Sequence, residues 1–95
     1  MSIKEFQKMM EEIYYNRDIE RGGLKTMLWM VEEVGELAEA IRKNDFEKIG
    51  EEMADVFAWL ASLANIYNVD LEREVLRKYP NRCIKCGEKP CRCDL

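Results

Sequence analysis

Apolar positions recur along this chain at helical steps, with no sustained strand-like alternation. Ser2-Ile3-Lys4-Glu5 has the form of a capping box, and Ile3, Phe6, Met9, Met10 and Ile13 follow at helical spacing. The pattern predicts a first helix from about Ile3 to Tyr15. The polar stretch 16–23 (Asn-Arg-Asp-Ile-Glu-Arg-Gly-Gly) ends in two glycines and reads as a loop. A second helix is expected over about Leu24–Lys43, with Leu24, Met27, Leu28, Val31, Val34, Ala38 and Ile41 on one broad face. Asn44-Asp45-Phe46-Glu47 supplies a break and a new capping signal. The third helix then runs to about Tyr67, burying Phe46, Ile49, Met53, Val56, Phe57, Leu60 and Leu63. Asp70 caps a short fourth helix that Pro80 stops. The expected fold is all-α: an antiparallel hairpin of helices two and three with flanking helices, forming an oligomeric helical bundle with a short Cys-rich C-terminal tail.

Two acidic pairs interrupt this apolar patterning, Glu33-Val-Gly-Glu36 and Glu52-Met-Ala-Asp55. Spacing of i, i+3 places both carboxylates of a pair on one helical face, roughly 5–6 Å apart at Cβ. Projection at about 100° per residue sets Glu33 and Glu36 with Trp29 and Ala40, apart from the broad apolar arc. Glu52 and Asp55 likewise share a side with Trp59, Ser62 and Ile66. With Asn44 at the centre of the hairpin turn, Glu36 falls level with Glu52, Glu33 with Asp55, and Trp29 with Trp59. Four carboxylates brought together would repel one another unless a hard cation lay between them. The arrangement suits Mg²⁺. Glu32, Glu39 and Glu51 lie off the shared faces and fit solvated or supporting roles.

Composition narrows the chemistry. Ninety-five residues with 36% charged and 47% hydrophobic content allow one folded domain and no second core. Two apolar faces on helices this short imply burial against another copy, so a homodimer or homotetramer is expected. No run approaches a membrane span, and the N-terminus lacks the layout of a signal peptide, so a cytoplasmic protein is expected. The net charge of −4 argues against nucleic-acid binding. The absence of histidine excludes His-based acid–base, nucleophilic and zinc systems within the chain.

The segments Trp29-Met-Val-Glu-Glu-Val-Gly-Glu-Leu-Ala-Glu-Ala-Ile41 and Glu51-Glu-Met-Ala-Asp-Val56 resemble the MazG-type nucleotide pyrophosphohydrolases, with their Glu-Glu-x-x-Glu, spacer and Glu-x-x-Asp signature. The likeness continues through Leu63-Ala-Asn65, Val69-Asp-Leu71 and Lys78-Tyr-Pro-Asn-Arg82. It implies hydrolysis of a nucleoside triphosphate to the monophosphate and pyrophosphate, as in nucleotide-pool housecleaning. By the same resemblance Glu33, Glu36, Glu52 and Asp55 match Mg²⁺ ligands, and Lys78 and Asn81 match polar positions that approach phosphates. Lys78 could equally be a solvated lysine at a helix C-terminus. Trp29 and Trp59 could form a wall for the base by stacking, or serve core or subunit packing. Arg17, Asp18, Arg21 and Gly22 could close over a nucleotide or simply face solvent. A rival within the superfamily is phosphoribosyl-ATP pyrophosphohydrolase. A rival of another class is a non-catalytic helical module that binds a protein partner through its tail.

Cys83-Ile-Lys-Cys86-Gly87 and Cys91-Arg-Cys93 concentrate all four cysteines in the tail. Four thiolates suit tetrahedral Zn²⁺, and such a site would order a segment too short to fold by itself. Disulfides or free thiols are the alternatives. The chain thus divides into an all-α domain over 1–82 and a Cys₄ tail over 83–95.

Overall fold

A computed structural model describes residues 1–94, so Leu95 of the expected tail lies outside the described residues. Four helices follow in order: α1 (Ile3–Arg21), α2 (Gly23–Arg42), α3 (Phe46–Ile66) and α4 (Leu71–Lys78). No strand occurs among the described residues, and the fold is all-α. The helix starts follow from local chemistry. Ser2 Oγ accepts from Glu5 N at 3.0 Å, and Glu5 Oε1 accepts from Ser2 N at 2.9 Å, completing the capping box. Asp45 and Asp70 cap α3 and α4 by accepting from Lys48 N and Arg73 N at 3.2 and 3.1 Å.

The α2–α3 turn is short and doubly fixed. Asn44, with φ 54°, takes the left-handed position after the helix, which a short polar side chain tolerates. Asn44 N donates to Ile41 O and Asp45 N to Ala40 O, each at 3.1 Å, the bonds of a Schellman motif. Asp45 therefore ends one helix with its backbone and starts the next with its side chain. Asn68, with φ 55°, repeats the device after α3 through Asn68 N to Asn65 O and Val69 N to Ala64 O.

α2 packs chiefly on α3, and α3 in turn on α1. Phe6 meets Phe57 with ring centroids 5.2 Å apart. Gln7 and Asn65 pin the helices together. Gln7 Nε2 donates to Asn65 Oδ1 at 3.0 Å, and Asn65 Nδ2 returns a bond to Gln7 O at 3.1 Å. Leu71 N donates to Gln7 Oε1 at 3.1 Å, which ties α4 to the same point.

Two expectations are corrected. First, α1 continues to Arg21 instead of stopping near Tyr15. Asp18 and Arg21 pair at i, i+3, and no glycine or proline intervenes before Gly22. The expected loop over 16–23 shrinks to Gly22, whose φ 85° and ψ 163° are open only to glycine. The Tyr67 ring lies close over Gly23, and a β-carbon there would displace it.

Second, the broad apolar stripes do not form the core of the single chain. Leu24 and Phe46 are 75% and 80% exposed, and Met27, Leu28, Val31, Val34, Ile41, Met53, Phe57 and Leu60 are exposed as well. Ala38 is also exposed, while Ile49, Val56 and Leu63 are half-buried. On α2 the covered positions are instead Thr26, Met30, Glu33, Leu37 and Ala40. Each helix carries two stripes, and the acid-bearing one faces the rest of the chain. The surface is correspondingly large. At 11.3 kDa a compact monomer would expose about 5,700 Å², whereas this chain exposes 7539 Å².

Gly22→Ala should lower stability by about 1–3 kcal/mol, the cost of forcing an L-residue into that backbone region. Thermal unfolding at fixed protein concentration reads this as a fall in Tm. An unchanged midpoint would show that the α1–α2 corner relaxes freely.

Candidate active site

The acid-bearing stripes of α2 and α3 meet across the hairpin. Carboxylate oxygens of Glu33, Glu36 and Glu52 lie within 4.8 Å of one another. Glu52 is 5% exposed, Glu33 is half-buried and Glu36 is open to solvent. Glu33 Oε2 and Glu52 Oε2 are both buried without a hydrogen-bond partner. A buried carboxylate oxygen left unpaired is costly, and two facing each other are more so. Lys48 Nζ stands 3.9 Å from Glu52 Oε1, on the solvent side, and relieves little of this.

The electrostatic result falls on Glu33. Burial first, then the adjoining Glu52 carboxyl and the charges of Glu36 and Asp55, push its pKa up to about 7. The three groups fit a hard divalent cation: oxygen donors only, two of them buried and unpaired, drawn from two helices held in fixed register. Asp55 lies just outside this set. It is exposed and lines a neighbouring cleft of about 300 Å³ with Tyr14, Asp18, Arg21, Trp59 and Ser62.

That cleft also contains the tryptophans' surroundings. Trp29 and Trp59 meet edge to face, with centroids 5.5 Å apart. The Arg21 guanidinium lies over both rings, 5.4 Å and 4.8 Å from their centroids. It is aimed there by Asp18 Oδ1, to which Nη2 donates, and by Thr26 Oγ1, to which Nε donates at 2.9 Å. Thr26 Oγ1 in turn donates to Gly22 O at 2.7 Å. Asp18 is only 2% exposed and its Oδ2 has no partner.

The structure therefore brings together Glu33, Glu36 and Glu52. It sets Asp55, Arg17, Arg21 and Trp59 around the adjoining cleft, with Trp29 against Trp59. Lys78 and Asn81 stand elsewhere, lining clefts made by the tail. Lys78 Nζ lies 5.8 Å from the Tyr79 ring centroid, and Asn81 Oδ1 accepts from Lys89. Tyr14 and Thr26 escaped the sequence reading, whereas Ser62 lies on the predicted side with Asp55 and Trp59. For Tyr14 the signal was helical: Met10, Tyr14, Asp18 and Arg21 fall on one stripe of α1.

Fold and site define an all-α protein with an acidic centre between two antiparallel helices. Residues 21–87 match the MazG nucleotide pyrophosphohydrolase domain, and the chain belongs to that family. It is also similar to the uncharacterized protein YvdC of Bacillus subtilis (strain 168), at 29% identity over 90% of this chain and 95% of that protein. Family membership points to nucleotide pyrophosphohydrolase activity in general, with a nucleotide as substrate. No helix among the described residues is long and apolar enough to cross a membrane.

The raised pKa of Glu33 has a definite sign. An unfolded chain releases this proton near 4.5, while the folded protein holds it up to about 7. The unfolded state therefore binds fewer protons across that interval, and the contribution of Glu33 to stability falls as pH rises through it. Glu5 and Glu39, held below the usual carboxylate range by Ser2 and by Arg42, act in the opposite sense at acid pH. Comparison with Glu33→Gln isolates the effect. In chelator, the variant should gain Tm relative to the parent as pH rises from about 4.5 to 7 and above. Parallel melting profiles would contradict the burial of this carboxyl.

Proposed function

We propose that the chain hydrolyses a nucleoside triphosphate to the monophosphate and pyrophosphate with Mg²⁺ at Glu33, Glu36, Glu52 and Asp55. The observation that carries this reading is the convergence of buried, unpaired Glu33 and Glu52 oxygens with Glu36 across the helical hairpin. Mg²⁺ at this centre would neutralise charge on the phosphates and supply the remaining coordination for their oxygens. The carboxylates do the rest. Glu33, Glu36 and Glu52 fix the phosphate chain by holding the cation in place. Asp55, exposed at the edge of the set and the carboxylate least committed to the cation, would accept a proton from the attacking water as it adds to phosphorus and the α–β anhydride bond breaks, releasing pyrophosphate.

The cleft beside Asp55 receives the nucleoside in this reading. Trp59 and Trp29 offer apolar surface, while Arg17 and Arg21 supply positive charge near an otherwise acidic centre. Lys78 and Asn81 are assigned to phosphate contact on the strength of the family resemblance. The division into a domain over 1–82 and a tail over 83–95 is kept, with the tail outside the chemistry. A housecleaning role on free nucleotides fits a net charge of −4, which offers no general surface for nucleic acid.

A pyrophosphate-release assay across canonical, deoxy and damaged nucleoside triphosphates, with and without Mg²⁺, tests this directly. Release should require the metal and fall at least about 100-fold in Glu36→Gln and in Asp55→Asn, since even partners one step removed from a metal cost up to that much. Orthophosphate as the product, or activity surviving both substitutions, would overturn the assignment.

Assembly belongs to the same reading. The chain exposes about 1,800 Å² more than a compact monomer of its mass, an excess on the scale of a stable protein–protein interface. The apolar stripes of α2 and α3 are exposed within that surface and fit a second copy of the chain in a homodimer or homotetramer. Sedimentation should therefore show no monomer at micromolar concentration. Leu28→Glu, on the exposed stripe, should shift the protein toward monomer without touching a carboxylate. A monomeric parent would refute the assembly.

A further inference from the structure

The family match ends at residue 87, inside the C-terminal tail. Residues 79–94 contain no helix or strand, and their larger apolar side chains, Tyr79 and Ile84, are 56% and 49% exposed. A segment with turns and no apolar core has little to offset its conformational entropy. Yet its backbone is specifically folded. Cys83 N donates to Glu88 O at 3.0 Å and Gly87 N to Cys83 O at 2.9 Å. Gly87 takes φ 74°, the left-handed position that closes such a loop.

The loop closes around sulfur. The Sγ atoms of Cys83, Cys86, Cys91 and Cys93 all lie within 4.8 Å of one another, and none is in a disulfide. Cys83 Sγ and Cys93 Sγ stand 3.6 Å apart. With zinc–sulfur bonds of about 2.3 Å, the edge of a tetrahedral ZnS₄ unit is about 3.8 Å. Backbone N–H groups point at the sulfurs. Lys85 N donates to Cys83 Sγ and Arg92 N to Cys86 Sγ, each at 3.4 Å, and Cys93 N to Cys91 Sγ at 3.3 Å. Such donors orient ligating sulfur and stabilise its negative charge. Arg82, Lys85, Lys89 and Arg92 lie in the same segment and offset the two net negative charges of a tetrathiolate zinc complex.

We infer that the tail is a structural Zn²⁺ site with Cys83, Cys86, Cys91 and Cys93 as its four ligands, separate from the carboxylate centre. As each zinc–sulfur bond forms, the thiol proton passes to solvent, so binding is linked to pH and to folding of the tail. All four positions are filled by protein, which closes the site to substrate and water. Soft sulfur donors select zinc over Mg²⁺, while the carboxylates of α2 and α3 select the reverse. The metal takes the place of the missing core and fixes the segment to the end of α4.

The full chain, purified under reducing conditions without added metal, provides the test. One zinc per chain is expected by elemental analysis. Replacement with Co²⁺ should give the sulfur charge-transfer and tetrahedral ligand-field bands of an S₄ site. Cys86→Ser and Cys91→Ser should each weaken zinc binding by at least about 100-fold, whereas Glu36→Gln should leave it unchanged. Chelation should open the Arg82–Arg92 segment to trypsin while the helical circular dichroism of α1–α3 persists. Reduced protein that holds no zinc and gives no such Co²⁺ spectrum would overturn the site. So would disulfides in the mature protein, bound iron in place of zinc, or zinc that survives both cysteine substitutions.

Discussion

Like charges held between two helices set the terms for the rest of this molecule. Glu33 and Glu52 each keep an oxygen buried and unpaired in the seam between α2 and α3, with Glu36 close by. The carboxylates themselves oppose closure of that seam, so the surrounding structure has to impose it. The three-residue turn does so from one end, through the left-handed Asn44 and the two-way capping of Asp45. Small side chains are among the most closely covered positions, Ala40 on α2 and Ala61 and Ser62 on α3. From behind, α1 braces α3 through the Gln7–Asn65 exchange and the Phe6–Phe57 contact. A cation in the seam would turn the repulsion into attraction without moving the backbone, which is what a preorganised centre requires.

Much of this was readable from residue order. Helical spacing, the Ser2, Asp45 and Asp70 caps and the Asn44 turn place all four helices, and the turn brings Trp29 level with Trp59. What spacing could not decide was direction. Leu24, Leu28 and Val31 form a stripe as regular as any core stripe, and regularity alone does not say whether the covering partner is the same chain. The chain instead turns inward the stripe carrying Glu33 and Ala40. The end of α1 was missed for a different reason. Asn16 to Arg21 offers a single apolar residue, the exposed Ile19, and the helix there depends on a polar pair, Asp18 reaching Arg21 beneath two indoles.

That polar corner bears on what the neighbouring cleft can recognise. Arg21 already stacks on both tryptophans, so their faces are not free aromatic shelves. A base entering beside Trp59 would meet the guanidinium as well as the ring, and both surfaces accept any flat π system. Tyr14, Arg17, Asp18, Asp55 and Ser62 also line the cleft, and Arg21 already takes one of the two Asp18 oxygens. Stacking that any base satisfies, beside a mixed set of carboxylates, hydroxyls and guanidinium groups, explains why the residues alone do not spell out a base.

The open stripes and the carboxylates share the same two helices, and this joins assembly to chemistry. Burying the stripes of α2 and α3 against a second copy would lower the free energy of the hairpin without altering the seam on its opposite side. The repulsion among Glu33, Glu36 and Glu52 would then be borne by an interface as well as by the turn. The fully buried apolar set of the single chain is small, comprising Met10, Ala40, Ala61 and Ala64. On this reading the second copy is part of what keeps the carboxylates in register, and the hydrophobic patterning and the acidic motif are two halves of one design constraint.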